Sequence, residues 1–417
     1  MGSKSTIPRF DEHIARAVGW FYETWLDNPT GSGWSHYAGN PRVTQWGGTL
    51  DGVRALLYAG ESRFNPKIAK SIEWLKSGQL EDGSWLSWEI RQSCVEVTGW
   101  MLITLRQAGE GPASGSVGNG AQFLVDAQHS DGSWGAYKGA PSRVYPTLIS
   151  VWALSRIDDA AAARGARWLE AGINSDGGWG FKHKDELSNI AMTAMVPYSL
   201  LTAGHIDPTL KQKAIDWIRA HREPNGLWEP VFEDWINYED PETGEQFPTR
   251  TNHFSSGWVI MALIKAGESV LEPVLLDAVT TLASLQERDG SWAFVPYDPN
   301  RHTWCVANAL WALADARNAM FSPMTHYQSM LDQTAQIDRM RYRTRWIAIL
   351  SAINLIAIIG VILYVTGAFQ ILAPIISNAA KWVVAMAASH STEFLVATIS
   401  AIVAGYVLYR VTKGRAQ

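Results

Sequence analysis

Hydrophobic positions up to about residue 316 fall into two alternating kinds of segment. In the first kind, apolar residues such as Ile72 and Leu75 recur at three- and four-residue spacing, which predicts amphipathic helices. The second kind is apolar nearly all round, which predicts helices that are buried on every side. Several of these segments end in Ala-Gly, the usual glycine stop of a helix. The pattern therefore predicts pairs of helices, one half-exposed and one buried.

Six such pairs follow one another along the chain. The half-exposed helices are predicted over residues 14–26, 67–77, 120–127, 160–171, 208–221 and 273–286. The buried helices are predicted over residues 44–59, 95–108, 145–157, 188–203, 253–266 and 302–314.

A turn that ends in tryptophan separates the two helices of each pair. The fullest copies are residues 79–85 (QLEDGSW), 128–134 (QHSDGSW) and 286–292 (QERDGSW), and weaker copies end at Trp34, Trp179 and Trp228. Successive tryptophans are 51, 49, 45, 49 and 64 residues apart, which is the period of a two-helix repeat. The glycine supplies a positive φ and the tryptophan an apolar anchor. We expect the glutamine to satisfy backbone groups at the preceding helix end, so the turn has a structural role.

The six pairs predict an all-α fold, an (α/α)6 toroid over residues 1–316 with the buried helices inside. An open solenoid of stacked helix pairs is the alternative. A solenoid needs polar terminal repeats, and neither end of this region resembles one. The longest insertion, residues 230–248, is acidic, and we expect either a solvated loop or a screen at one mouth of the barrel.

The composition changes after residue 316. Residues 317–345 form a predicted linker that ends in Arg339, Arg341, Arg343 and Arg345. Residues 346–417 form a predicted membrane region with two apolar spans, 346–365 and 394–409, the first long enough to cross ~30 Å of hydrocarbon. The segment between the spans suits an interfacial position. If the two spans form a hairpin, their basic flanks lie on one side of the membrane, and the positive-inside rule predicts that the barrel lies on the cytoplasmic side.

Charge and cysteine content exclude some classes of partner. The formal net charge is -5 and no basic stripe occurs, so we expect no nucleic acid partner. The two cysteines, Cys94 and Cys305, cannot form a disulfide framework. We expect the lipid bilayer and a hydrophobic small molecule as partners, and no cofactor.

The tryptophan turns resemble the QW repeats of a known superfamily. Gln79, Gln128 and Gln286 precede Asp-Gly-Ser-Trp as in squalene-hopene cyclases, oxidosqualene cyclases and protein prenyltransferase β-subunits. The resemblance covers residues 10–316. It implies the toroid fold and an isoprenoid-type ligand, whereas it carries little about activity, because the repeat is structural.

The resemblance also implies a catalytic acid, which in triterpene cyclases is the middle Asp of a DxDD motif at the start of an inner helix. This chain has no DxDD. The nearest match is residues 94–98 (CVEVT), which place Glu96 at the acid position and keep Thr98. Glu96 is therefore the candidate catalytic residue.

A prenyltransferase-like zinc site is not expected. At the positions of the family's Asp and Cys ligands this chain has Asn252 and Phe254, and only His302 has a counterpart. A regrouping of Asp298, His302 and Cys305 around a metal stays open, although their spacing is not a recognised ligand set.

The starts of the inner helices meet at one mouth of such a barrel. This brings together the predicted substrate-binding residues, which are Trp46, Asp51, Trp100, Tyr145, Asn189, His253, His302 and Trp304, with Gln45 and Glu96 beside them. Aromatic faces suit isoprenoid chains and carbocations. One hypothesis is a membrane-anchored enzyme that cyclises or transfers an isoprenoid in an aromatic cavity. The other is a non-catalytic, membrane-tethered binding or sensing module built on the same barrel.

Overall fold

A computed structural model of the protein describes residues 10–38, 43–87, 92–184, 187–232, 236–239, 246–249, 252–295 and 300–321. Twelve helices lie within these residues: α1 (Asp11–Thr24), α2 (Trp46–Ala59), α3 (Pro66–Ser77), α4 (Val95–Gln107), α5 (Gly115–Ala127), α6 (Val144–Leu154), α7 (Asp159–Ala171), α8 (Ile190–Ala203), α9 (Pro208–Ala220), α10 (Ser255–Lys265), α11 (Pro273–Ser284) and α12 (Thr303–Phe321). They correspond to the twelve predicted segments. The largest difference is at α12, whose alanine-rich end has no glycine stop and continues to Phe321.

The six even-numbered helices form a closed inner ring. Each packs on the next in the order α2, α4, α6, α8, α10 and α12, and α12 packs back on α2. The odd-numbered helices lie outside this ring and bury only one face, as Ile68, Ile72 and Leu75 do in α3. The predicted all-α toroid is therefore the fold of the described residues, and the solenoid alternative is excluded because the ring closes.

Short antiparallel strand pairs occur in the connections and were not predicted. The strands are β1 (Leu26–Asn28), β2 (Gly31–Gly33), β3 (Tyr37–Ala38), β4 (Trp85–Leu86), β5 (Ser93–Cys94), β6 (Val231–Phe232), β7 (Ile236–Glu239), β8 (Gln246–Thr249), β9 (Asn252–His253) and β10 (Arg301–His302). They pair as β1–β2, β3–β10, β4–β5, β6–β9 and β7–β8. The β7–β8 hairpin lies in the acidic insertion that was predicted to be a loop.

The tryptophan turns share one contact in all six repeats and a second contact in the first five. The six turn tryptophans are buried, and each indole Nε1 donates to a carbonyl near the end of the preceding outer helix at 2.7 to 2.9 Å. In the first five repeats, the backbone N–H of the tryptophan donates to a Thr or Ser hydroxyl of the following inner helix. The turn therefore fastens an outer helix to its inner partner.

The turn glutamine joins neighbouring repeats, which differs from the expected role. Gln79 Nε2 donates to the turn carbonyl of Gly83 at 2.8 Å and to Ser116 O of the next outer helix at 2.9 Å. Gln128 makes the equivalent pair of bonds. The glutamine thus bridges its own turn and the start of the next repeat, not the helix end that precedes it.

The last repeat joins the first through these same groups and a few more. Gln286 Nε2 donates to His13 O at 2.8 Å, and Thr303 Oγ1 donates to Ser35 O at 2.6 Å. Strand β10 pairs with β3 at the same place. We call this set of contacts the closing seam.

The predicted linker beyond Phe321 and the predicted membrane region lie outside the described residues. Among the residues that the structure does describe, no helix is both long and apolar enough to cross a membrane. The membrane spans therefore stay predictions.

Candidate functional site

Four of the predicted site residues come together where the inner helices begin. Glu96 lies in the first turn of α4 and Trp100 one turn further on, while Tyr145 lies in the first turn of α6 and Asp51 in the second turn of α2. The Trp100 indole donates to the Tyr145 hydroxyl at 3.3 Å. Glu96, Asp51 and Tyr145 are half-buried. These four residues are called the mouth below.

Arg54 lies one helical turn below Asp51 and is buried, with 3 % of its surface exposed. Its guanidinium carbon is 4.1 Å from the centre of the Trp100 ring and 5.3 Å from that of Trp311. Its Nη2 donates to Asp51 Oδ1 at 2.7 Å. Its Nη1 is buried and has no hydrogen-bond partner among the described residues. A permanent positive charge is therefore held between two indoles, with part of its donor set unused.

Burial shifts the proton equilibria of the mouth. It raises the pKa of Asp51 to about 6, although the charge of Arg54 acts in the opposite direction. Burial also raises the pKa of Tyr145 well above its ordinary value, and the negative charge of Glu96 adds to this effect. Tyr145 therefore stays a neutral phenol at every physiological pH, and Asp51 changes charge just below neutrality.

Below the mouth, each inner helix contributes one aromatic ring to a single cluster, called the aromatic centre. Its members are Tyr58, Trp100, Trp152, Tyr198, Trp258 and Trp311. Trp100 and Trp258 come from opposite helices of the ring, and their centroids are 6.1 Å apart. Trp152 and Trp311, also from opposite helices, are 5.8 Å apart. Because rings from opposite sides meet across the barrel, the predicted aromatic cavity is filled at this depth, and the accessible surface is the mouth above it.

A second ionisable cluster lies where the inner helices end. Burial raises the pKa of Asp315 to about 7, against the opposing charge of Lys265. Burial lowers the pKa of Lys265 in turn. Tyr58 and Tyr198 of the aromatic centre lie beside Asp315, and its charge acts on both hydroxyls. This cluster is separated from the mouth by the aromatic rings.

A known family matches the chain over most of the toroid. The sequence model of the squalene-hopene cyclase C-terminal domain matches residues 3–136, 89–229 and 188–300. These overlapping matches together cover well over half of the chain, as expected for a repeat that aligns in several registers. The chain belongs to this family.

Curated relatives of the family share part of their length with this chain. Squalene–hopene cyclase of Bradyrhizobium diazoefficiens is 26% identical over 204 residues, which are 41% of this chain and 31% of the relative. Sporulenol synthase of Bacillus subtilis is 25% identical over 219 residues, which are 43% of this chain and 34% of the relative. The chain therefore spans about a third of the length of the curated relatives that it matches.

Two solved structures share the fold over nearly their whole length. A type II terpene cyclase from Scytonema in complex with geranylgeranyl dihydroxybenzoate, its substrate, has a TM-score of 0.53 and 16% identity, and the match covers 74% of this chain and 97% of the cyclase. An alpha-amylase from Clostridium perfringens has a TM-score of 0.52 and 13% identity, with 74% of this chain and 99% of that chain covered. At these identities the similarity shows the fold alone, and the two matches have different activities.

Two other predicted residues at inner-helix starts, Trp46 and Asn189, make contacts within the scaffold. Trp46 stacks on Trp74 of α3 with ring centroids 4.0 Å apart, so it lies between an inner and an outer helix. Asn189 caps α8, because its side chain accepts a hydrogen bond from Met192 N at 2.9 Å. Both contacts are structural. The position of a residue at a helix start in the sequence does not predict the side of the helix on which its side chain lies.

Of the predicted residues of the sixth repeat, His302 lies at the closing seam and Trp304 packs beside it. The ring centroids of His302 and Tyr37 are 4.7 Å apart, and those of Trp304 and Phe294 are 5.0 Å apart.

His253 belongs to the fifth repeat, where its backbone pairs with Val231 between β9 and β6. The described residues include no group of three or more His, Cys, Asp or Glu placed to hold a metal. Asp298, one member of the regrouping left open above, lies outside the described residues.

Sequence reasoning missed Arg54, Trp258 and Trp311. The signal for Arg54 was present, because Asp51 and Arg54 are the two charged residues of an otherwise apolar inner helix and stand three positions apart. This spacing places them on one face. Trp258 and Trp311 have no comparable signal, because the sequence does not distinguish the tryptophans of the turns from those of the aromatic centre.

Proposed function

We propose that this family member binds an isoprenoid-type lipid at the mouth of its barrel. The membership of the family supports the ligand class, and the structurally similar Scytonema cyclase is described in complex with a geranylgeranyl compound. The observation that carries the proposal is the position of Trp100. Its ring belongs to the aromatic centre, while its indole N–H bonds to Tyr145 in the half-buried mouth. An apolar chain entering the mouth meets an aromatic floor with polar groups at its edge, as in many ligand sites.

Arg54 favours binding over a carbocation cascade in the barrel interior. Cyclases use aromatic faces to stabilise a travelling positive charge, and in this chain the guanidinium already occupies the faces of Trp100 and Trp311. A carbocation ~5 Å from the guanidinium would be repelled by about 3 kcal/mol at an effective dielectric constant of 20, before the opposing attraction of the Asp51 carboxylate is counted. The aromatic centre is therefore a poor host for cationic intermediates.

Geranylgeraniol tests the proposed site, because it has an isoprenoid chain and an uncharged head. We expect the tritiated alcohol to bind the immobilised full-length chain saturably. Trp100→Leu should weaken binding about tenfold, which corresponds to ~1.4 kcal/mol. Trp74→Leu is the matched control, since it removes an indole between α2 and α3, and it should leave the affinity unchanged. Equal effects of the two substitutions, or no saturable binding at all, would refute the site.

The membrane anchor is part of the proposal. The apolar segments 346–365 and 394–409, with their basic flanks, support a hairpin that tethers the barrel on the cytoplasmic side, where the ligand can arrive from the bilayer. A chain without residues 339–417 should be monodisperse without detergent and keep the helical content of the barrel. Aggregation of this truncated protein, with the full chain monodisperse in detergent, would show that the boundary is misplaced.

A second candidate is catalysis by proton transfer from Glu96. It is favoured by one observation, namely that Glu96 lies in the mouth beside Tyr145, at the position where the resemblance puts the family's acid. A single glutamate without flanking aspartates is a weak acid for an alkene. The candidate therefore requires a more reactive substrate, such as an epoxide or a diphosphate.

A further inference from the structure

The second ionisable cluster is used by neither of the functions proposed above. Lys265 is the last residue of α10, and Asp315 lies in α12, which packs on α10 in the inner ring. Lys265 is exposed and Asp315 is half-buried. The cluster is therefore open to solvent at the end of the barrel opposite the mouth.

The amine of Lys265 lies against aromatic rings. Its Nζ is 5.9 Å from the centre of the Tyr198 ring, and Tyr198 in turn contacts Trp311 with ring centroids 5.9 Å apart. Burial lowers the pKa of Lys265. A lysine in the last turn of a helix is normally stabilised in its charged form by the helix dipole. The lowered pKa therefore distinguishes Lys265 from an ordinary lysine at a helix end.

A carboxyl faces this amine without forming an ion pair with it. The charge of Asp315 acts on Lys265, but no direct ion pair joins the two among the described residues. Surface pairs of the same chain do form, as between Lys70 and Asp27 at 2.6 Å. Burial raises the pKa of Asp315 to about 7, so this carboxyl exchanges its proton near neutrality. The amine and the carboxyl are both available to a third molecule.

Arg156 departs from the repeat at this end of the barrel. Four other inner helices are followed by a glycine with φ between 74° and 101°, which are Gly60, Gly109, Gly204 and Gly267. The third repeat has Arg156 there, with φ of 65°, a conformation that costs a non-glycine residue ~1–2 kcal/mol. Its charge adds to the effect of burial in lowering the pKa of both Lys265 and Arg106. Strained residues of this kind cluster at functional sites.

Burial and a neighbouring cation are the two conditions that turn a lysine into a nucleophile. We propose that Lys265 is a reactive amine that forms an imine with a small aldehyde or ketone, with Asp315 as the acid that releases water. This second site is independent of lipid binding at the mouth.

The reaction needs no group beyond the two side chains and the carbonyl compound. The neutral Nζ of Lys265 attacks the carbonyl carbon, and a proton passes from nitrogen to oxygen to give a carbinolamine. Asp315 then donates its proton to the hydroxyl, which leaves as water while the nitrogen lone pair forms the C=N bond. The products are a protonated imine, one water molecule and the Asp315 carboxylate.

Benzaldehyde with sodium cyanoborohydride tests this reactivity on the full-length protein at pH 7.5. The hydride converts each imine into a stable secondary amine, and it is supplied in an excess that makes imine formation rate-limiting. Peptide mapping by mass spectrometry gives the labelling rate of each lysine. Lys138, an exposed lysine after the turn of Trp134, is the internal control. We expect Lys265 to be labelled ~10-fold or more faster, because a positioned acid typically contributes ~100-fold or more.

Two positions separate the activation of the amine from the donation of the proton. Arg156→Gly gives the third repeat the glycine of the other repeats, so it should melt no lower than the wild type and should slow Lys265 labelling several-fold. Arg156→Lys keeps the charge and should keep the rate. Asp315→Asn removes the acid and should slow Lys265 labelling ~10-fold or more. Labelling of Lys138 should be unchanged in each variant.

Equal labelling of Lys265 and Lys138 in the wild type would overturn the proposal. So would unchanged or faster labelling in Asp315→Asn, because the loss of a negative charge alone favours the neutral amine. If Asp315→Asn does not fold, Arg156→Gly still decides, since an unchanged rate contradicts activation by the neighbouring cation. Geranylgeraniol binding should be the same in all variants, because the aromatic centre lies between the two sites.

Discussion

The turns that connect the repeats and the mouth of the barrel are built in different ways. Around the outside, six tryptophans make the same indole bond to the preceding helix, and the glutamines of the full turn copies join one repeat to the next. At the mouth, α2 contributes Asp51, which pairs with Arg54 below it, α4 contributes a glutamate and a tryptophan, and α6 contributes a tyrosine. Residues that recur from repeat to repeat stabilise the fold. Residues that occur in one repeat only are the candidates for a function specific to this protein.

The largest expected effect is at the closing seam. Gly290 has a φ of 93° and a Cβ at this position would lie 2.4 Å from Arg16 O, so Gly290→Ala must displace backbone between the last and first repeats. We expect a loss of ~3 kcal/mol in the free energy of unfolding, measured by urea denaturation. Gly267→Ala is the control, because φ is 96° but nothing lies within 4 Å of its added Cβ. It should cost only ~1 kcal/mol for the backbone conformation.

Equal losses in the two alanine variants would mean that contact across the seam adds nothing to stability. The closure of the ring would then be a weak feature of the fold and not a requirement for it.

Trp134→Phe and Trp100→Phe should separate the turns from the mouth. Trp134 is fully buried and its indole bond to Leu124 O is 2.7 Å long, so its loss should cost ~2 kcal/mol of stability without changing the geranylgeraniol affinity. Trp100→Phe should cost less stability, since its indole bond is 3.3 Å long, and should weaken ligand binding. Thermal melts and lipid binding of both variants measure the two effects together. If Trp134→Phe weakened binding as strongly as Trp100→Phe, the turn and the mouth would not be separate regions.

Burial of Asp315 should make stability depend on pH. Its folded pKa is about 7, above the ~3.9 of an unfolded chain, so the native state holds a proton that the unfolded state has lost across this window. Stability from this group therefore increases as the pH falls from about 7 toward 4. Asp51, with a pKa of about 6, acts in the same direction. His36 acts in the opposite direction below pH 6.5, because burial and the charge of His302 lower its pKa to about 4.

Asp315→Asn isolates one of these contributions. Lys265, Tyr58 and Tyr198 face Asp315, and burial lowers the pKa of Lys265 and raises the pKa of both tyrosines. The two proteins are compared at pH 5 and at pH 7.5. As the pH falls from 7.5 to 5, the unfolding free energy of the wild type should increase by ~1–2 kcal/mol relative to that of the variant. Parallel stability curves for the two proteins would show that Asp315 is ionised in the fold.

The smallest expected effect on stability is at Glu96. Glu96→Gln keeps the shape of a half-buried side chain and should change the free energy of unfolding by less than ~1 kcal/mol. If the barrel is catalytic by protonation, this variant should form no product from a reactive isoprenoid, as measured by gas chromatography with mass spectrometry. An established activity that survives in Glu96→Gln would end the second candidate function.

The sequence predicts the repeating part of this protein far better than the site. Trp85, Trp134 and Trp292 stand in near-identical turns, and their spacing determines the helix pairs and hence the ring. The mouth has no such redundancy. Trp46 was placed there because it begins an inner helix, but its rotation about the helix axis, which periodicity does not reveal, directs it onto Trp74. The pattern predicts that the helix of Arg54 is apolar nearly all round, and that prediction gives no role to its charged pair, Asp51 and Arg54.

Hydrogen–deuterium exchange of the full-length chain with and without geranylgeraniol tests most directly whether the ligand lies at the mouth. We predict slower exchange in peptides that cover the first turns of α4 and α6 and the Asp51–Arg54 turn of α2, since these segments form the mouth and its floor. The tryptophan turns at residues 128–134 and 286–292 should show no change. Protection of those turns without protection of the mouth, or no protection anywhere at a saturating lipid concentration, would contradict the account.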